Sequence, residues 1–300
     1  GNIGTDTTCV VNSDGTVSVV SGASSSVGTA VVFNSSVSYS IGSVFDSNSN
    51  RVVVAYKNVG DAQKGYAIVG SVSGSSITFG TGVVFENGGE IRDDAISLAF
   101  DSNSNKVVVG YRDNDDSSKS KCIVGTVASG QISFGTAVVW RTTITSKAFV
   151  VFDDNSNKVV IVFKGGATPD GGDGDKGSMI VGTVSSTSIS FGTAAIFYNA
   201  AINYLSATWD STSNVVIAGY EVGSDYPVTT GTVSGTSISF SAQTALGVNA
   251  HRASPTFDSN SNRIVWSYDP DAGTRVGTSK VMTIGSTNLT SENFIGITPS

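Results

Sequence analysis

Oxygen-bearing side chains recur in this chain at spacings that could hold a hard cation. Asp46, Asn48 and Asn50 alternate as at the start of a calcium loop, and the pattern returns with small variations after Phe100, Phe152, Trp209 and Phe257. A calcium loop also needs a glycine at its sixth place and a bidentate glutamate at its twelfth. Both are missing, so the segment reads as a hairpin turn whose Asx side chains bond nearby amides. Asp170, Asp173 and Asp175 are better metal candidates, because three carboxylates in one short Gly-rich loop could ligate Ca2+. A solvated acidic loop is the competing reading, and no cofactor is otherwise required.

Acid–base chemistry finds few candidates. His251 is the single histidine, so a Ser-His-Asp arrangement has one possible base and no recognisable nucleophile turn. A glycosidase needs carboxylates converging on the scissile bond. Glu90, Asp93, Asp94 and Asp225 cluster unevenly along the chain, and the arginines that could grip an acidic sugar are scattered. A non-enzyme is therefore the expectation.

The elements that position these residues repeat. The aromatic-Asp turns begin at Phe45, Phe100, Phe152, Trp209 and Phe257, a period of about 50 residues. In one unit, 95–100 alternates as a strand and 101–105 turns. Residues 106–111 form a β-branched second strand, 122–127 a third and 131–140 a fourth. Four antiparallel strands in such a repeat make the blade of a β-propeller. The second strand carries an aromatic at one place, Tyr56, Tyr111, Phe163, Tyr220 and Tyr268, which reads as packing between blades. A Gly-Ser/Thr step recurs at Gly28, Gly80, Gly135, Gly192 and Gly285, with Ser241 in the sixth place. A strand glycine of this kind marks a bulge or a close backbone approach.

The ends suggest closure. Residues 18–33 align without a gap on 70–85, so the N-terminal segment 8–33 supplies three strands of a blade. Residues 293–297 resemble an innermost strand and would complete it. The expectation is a single all-β domain over 1–300, a six-bladed propeller of four-stranded blades. Complete blades fall near 38–85, 95–140, 147–197, 203–246 and 251–287, and paired terminal strands close the ring and remove its open edges. A five-bladed ring is the alternative.

One face of such a ring carries uniform turns and the other carries loops that vary in length and charge. Variable loops on a rigid scaffold are where binding usually sits. The candidate ligand residues there are Glu90, Arg92, Asp93, Asp94, Arg112, Asp113, Tyr204, Tyr226, His251 and Arg252. A net charge of −7 argues against a general nucleic-acid binder, and no apolar run reaches the length of a membrane span. Cys9 and Cys122 fall in different blades and are read as unpaired small hydrophobes.

The repeat Phe-Asp-Ser-Asn-Ser-Asn-Lys/Arg-Val-Val-Val-Ala/Gly-Tyr, followed by Ile-Val-Gly-Thr/Ser-Val and Ile-Ser/Thr-Phe-Gly-Thr, resembles repeats in tail-fibre and other virion structural proteins of marine bacteriophages. Residues 288–296 resemble a segment that follows such repeats there, and similar repeats occur in bacterial surface proteins. The resemblance implies an extracellular or virion-surface, non-enzymatic propeller that binds a receptor or decorates a particle. The expectation is a binding or adhesion propeller whose partner is a cell-surface glycan. A purely structural subunit contacting its neighbours in a fibre is one alternative, and a glycan-cleaving propeller enzyme is another.

Overall fold

The computed structural model describes residues 9–11, 16–19, 27–93, 95–167, 173–270 and 276–285. Among the described residues, strands β1 (Cys9–Val11) and β2 (Val17–Val19) pair only with each other. Blade 1 follows with β3 (Ser38–Asp46), β4 (Arg51–Asn58), β5 (Lys64–Ser73), β6 (Ser76–Phe79) and β7 (Val83–Glu86). Blade 2 comprises β8 (Ser97–Asp101), β9 (Lys106–Asp113), β10 (Lys119–Ala128), β11 (Gln131–Phe134) and β12 (Val138–Arg141). Blade 3 is β13 (Thr145–Asp153), β14 (Lys158–Gly165), β15 (Lys176–Ser185), β16 (Ser188–Phe191) and β17 (Ala195–Ala201). Blade 4 is β18 (Asn203–Asp210), β19 (Val215–Glu221), β20 (Pro227–Ser234), β21 (Ser237–Phe240) and β22 (Thr244–Ala245). In blade 5 the described strands are β23 (Ala250–Asp258), β24 (Arg263–Pro270) and β25 (Thr278–Met282).

Five blades stand where six were expected. The N-terminal strands form their own two-stranded sheet, and the closing strand 293–297 lies outside the described residues. Within the ring the innermost strands β3, β8, β13, β18 and β23 touch in that order. Apolar clusters fill each space between consecutive blades from 1 to 5. Aromatic pairs bridge them, Phe85–Tyr111 at 5.2 Å, Trp140–Phe163 at 5.0 Å and Phe197–Tyr220 at 5.1 Å. Phe33 packs on Tyr56 in the same way at 5.0 Å, so residues just before blade 1 repeat an inter-blade contact.

The fourth strand of each full blade is one edge broken in two. In blade 2, both β11 and β12 pair with β10, and Gly135 sits at the break. A Cβ there would lie 1.9 Å from the Thr187 carbonyl oxygen in the next blade's hairpin tip. Gly192 meets Thr236 in the same way, so the repeated glycine lets the tip of the following blade reach the strand edge. The aromatic-Asp turns share one scheme of amide bonds to the aspartate Oδ1, and in four of the five a serine hydroxyl adds a bond to Oδ2. Asp101 Oδ1 accepts the amides of Asn103 and Ser104, Oδ2 accepts the Ser104 hydroxyl, and Asn105 closes the turn at φ 55°.

Candidate functional site

Four of the five innermost strands break register at matching places near their first residues. The shifts fall between Tyr39 and Gly42, Thr145 and Lys147, Asn203 and Ser206, and His251 and Ser254. Bulges re-aim side chains, and these turn residues towards the central channel on the variable-loop face. Ser40, Tyr204 and Arg252 sit there at φ 49°, 38° and 47°, in the left-handed region that costs a non-glycine residue roughly 1–3 kcal/mol. In blade 2 the preceding loop does this work. The Arg92 amide donates to the Arg112 carbonyl at 3.0 Å and Ile91 bridges Asp113, which lays the loop along strand β9.

The result is a cavity of about 560 Å³ lined by Arg92, Asp93, Lys147, Lys164, Tyr204 and Arg252, among others. A second cavity of about 600 Å³ adjoins it, sharing Arg92, Ser146 and Lys164 and adding Arg112 and Asp175. Together they form one trough with a common wall. An acidic chain of net charge −7 thus gathers four of its 17 lysines and arginines around a single cavity.

Carboxylates are held in place around this trough. Asp93, its side chain 61% exposed, accepts from the buried Lys57 ammonium at 2.8 Å, and Glu90 accepts from it at 3.0 Å. Burial alone would push the Lys57 pKa down, but the hydrogen bonds and charges of Asp93 and Glu90 outweigh it and leave it raised. Asp175 lies 3.5 Å from Lys164 and accepts from the Ser146 hydroxyl at 3.4 Å. Arg252 pairs with Asp269 at 3.3 Å. On the wall between blades 4 and 5, Tyr204 stacks on His251, whose Nε2 is 3.2 Å from Glu221 Oε1.

Of the residues singled out from sequence, Arg92, Asp93, Tyr204 and Arg252 line the first cavity and Arg112 lines the second. Glu90 shares the Lys57 ammonium with Asp93, and His251 stacks on Tyr204. Asp113 and Tyr226 line neither cavity. Asp113 is buried, accepts the amides of Asp115 and Asp116, and pairs with Lys121 at 2.7 Å. Tyr226 is fully buried, its hydroxyl bonded to Ser206 and to the Tyr204 carbonyl, and burial pushes its pKa up. Asp94 and Asp170 lie outside the described residues. Asp173 and Asp175 point to different cations, Arg141 and Lys164, and no group of three or more metal-ligating side chains gathers among the described residues. Sequence reasoning missed Lys147 and Lys164, which lie inside strands and read there as ordinary alternation. Their only signal was position, next to the start of an innermost strand or the end of a second one.

Fold and site together define the class: an all-β propeller with a charged, tyrosine-lined trough at its channel mouth. No protein-family model and no curated protein matches the sequence. Solved structures share the fold. A protein of Thermus thermophilus, provisionally called an oxidoreductase (glucose dehydrogenase), is 9% identical, with TM-score 0.52 over 89% of this chain and 87% of that one. An arginine-to-alanine mutant of AofleA from Arthrobotrys oligospora is 9% identical, with TM-score 0.50 over 90% of this chain and 74% of that one. The exo-β-1,3-galactanase of Phanerochaete chrysosporium is 7% identical, with TM-score 0.47 over 81% of this chain and 59% of that one. At such identities the likeness concerns the fold alone.

The non-enzymatic adhesin reading is corrected on two counts. The fold is shared with a protein named as an enzyme, so a repetitive propeller is no argument against catalysis. The scatter of arginines and carboxylates along the chain, which favoured a non-enzyme, does not survive folding. The ring brings Arg92, Asp93, Lys164, Asp175 and Arg252 to one trough.

Proposed function

We propose that this chain is a glycan-cleaving propeller whose substrate lies in the trough at the channel mouth. The observation that carries the reading is the two-cavity trough with one carboxylate in each half, Asp93 in the first and Asp175 in the second. A glycosidic bond laid over the shared wall of Arg92, Ser146 and Lys164 meets both. The two carboxylates supply the pair that glycoside hydrolysis uses, one giving a proton to the departing glycosidic oxygen and the other taking one from the water that attacks the anomeric carbon. Tyr204 offers a ring face to a sugar, and Arg252 and Lys147 donate to its hydroxyls. The repeat resemblance supports a site of action outside the cell, on a virion or a cell surface, where such glycans are met.

The test is release of new reducing ends from a panel of bacterial and algal polysaccharides. Wild-type protein should release them from at least one. D93N and D175N should each lower the rate by at least a hundredfold while melting within a few degrees of wild type. A panel that stays intact, or full activity in both variants, overturns the reading.

A further inference from the structure

Arg112 is a buried cation. Its side chain is only 9% exposed, yet no described carboxylate forms an ion pair with it. Nη1 donates to the Thr145 carbonyl at 2.8 Å, Nη2 reaches the Ser118 hydroxyl at 3.4 Å, and Nε finds no partner. Burial lowers its pKa, and the charge of Arg92 lowers it further. Taking a guanidinium out of water without a counter-charge is costly, and a protein normally places an acid beside it.

Here the backbone places a second arginine beside it. The Arg92 amide donates to the Arg112 carbonyl, and the next residue pair, Ile91 and Asp113, forms a β-bridge, so the two arginines are cross-strand neighbours. Like charges directly opposite one another are destabilising. Arg92 is exposed and has no ion-pair partner among the described residues. Both arginines line the 600 Å³ cavity, beside the Ser146 hydroxyl and the Lys164 ammonium. The third cation lining this cavity, Lys164, is compensated by Asp175, as the nearby Arg141 is by Asp173.

We infer that the second cavity is an oxyanion subsite, in which Arg92 and Arg112 grip the carboxylate or sulfate ester of an acidic saccharide. The inference rests on the glycan reading above and narrows its substrate to acidic chains. Two guanidinium forks match the planar oxygens of a carboxylate and the tetrahedral oxygens of a sulfate. Ser146 supplies a further hydroxyl, and Lys164 adds charge on the wall shared with the first cavity. A sugar ring anchored by its acid in the second cavity thereby projects its glycosidic bond towards Asp93.

Binding can be read apart from cleavage. Calorimetric titration of D93N, which retains both arginines, would compare an oligogalacturonate, a sulfated galacto-oligosaccharide and a neutral galacto-oligosaccharide of equal length. At least one acidic ligand should bind ten times more tightly than the neutral one, and the preference should shrink at high salt. The carboxylate and sulfate arms separate the two sources of the oxyanion. R92Q, at an exposed position, should remove the preference without changing the melting temperature, and R112K, which keeps the charge but loses the fork, should weaken it. Equal binding of acidic and neutral ligands, no binding of any, or an unchanged preference in R92Q overturns the subsite. Acid-selective binding by a wild-type protein that cleaves nothing would sink the catalytic reading while leaving the subsite in place.

Discussion

The ring of Tyr204 stacks on the imidazole of His251, with centroids 4.5 Å apart and planes 29° apart, across the junction of blades 4 and 5. Both residues lie at the register breaks that open the innermost strands, and Tyr204 takes a left-handed φ to get there. The strain is supported from beneath, because the Tyr204 carbonyl accepts from the buried Tyr226 hydroxyl at 2.8 Å. His251 is in turn held by Glu221 at 3.2 Å. An exposed aromatic face on a rigid base suits one side of a sugar ring.

Tyr204→Ala should therefore weaken saccharide binding about tenfold, roughly 1.4 kcal/mol, through loss of that face. Stability should hold, since Tyr204 is 41% exposed. KM measured against melting temperature checks this. A variant that melts early with unchanged KM would assign the stack to the scaffold alone.

Lys57→Met tests the tie between blade 1 and the mouth. Removing the ammonium leaves Glu90 and Asp93 without their shared partner, at a cost on the order of 1–3 kcal/mol because both carboxylates keep contact with water. The pH dependence has a defined sign. The Lys57 pKa is raised, so its contribution is complete below the unfolded value of 10.5 and lost as pH rises through the higher folded value. Wild type should lose this increment in alkali and K57M should have none to lose, as denaturant midpoints collected from neutral to strongly alkaline pH will show.

Gly135→Ala places a methyl 1.9 Å from the Thr187 carbonyl oxygen, so the hairpin tip of blade 3 must move. A loss of about 1–3 kcal/mol is expected. Ser241 occupies the matching place in blade 4, and its side chain donates to the Ala242 carbonyl and lines a cavity of about 440 Å³. Ser241→Gly should change the denaturation midpoint little. Equal effects at the two positions would contradict the close-approach account.

Asn105→Val should cost about 1–2 kcal/mol, because a β-branched residue is poorly accommodated at φ 55°. Asn105→Gly should stay near wild type. Chemical denaturation of the pair checks the turn, and two indistinguishable variants would mean that the left-handed residue does not limit it.

The repeat was legible because it is local. Asp101 bonds amides two and three residues ahead, Asn105 accepts a left-handed turn, and Val107 to Val109 prefer a pleated, buried strand. Such preferences act within a few residues and recur in each copy, so the repeating strands and the packing role of Tyr111 or Phe163 could be read without coordinates. The number of blades could not be settled in this way. It depends on which edges the terminal segments meet, and β1 and β2 pair with each other.

The site was only half legible for a related reason. Loop divergence pointed to Arg92, Asp93, Tyr204 and Arg252, but it also pointed to Asp113 and Tyr226, which serve the scaffold. Nothing in the alternation around Lys147 and Lys164 distinguishes them from other strand lysines. What turns them to the channel mouth is the register shift between β13 and β14, where Lys147 lies opposite Lys164, and the packing of blades around an axis. The local chemistry of turns and strands is written in the sequence. The meeting of Arg92 with Arg112, and the placing of Asp93 and Asp175 on adjoining cavities, is set only when distant blades pack, because their spacing in the chain carries no trace of their spacing around the ring.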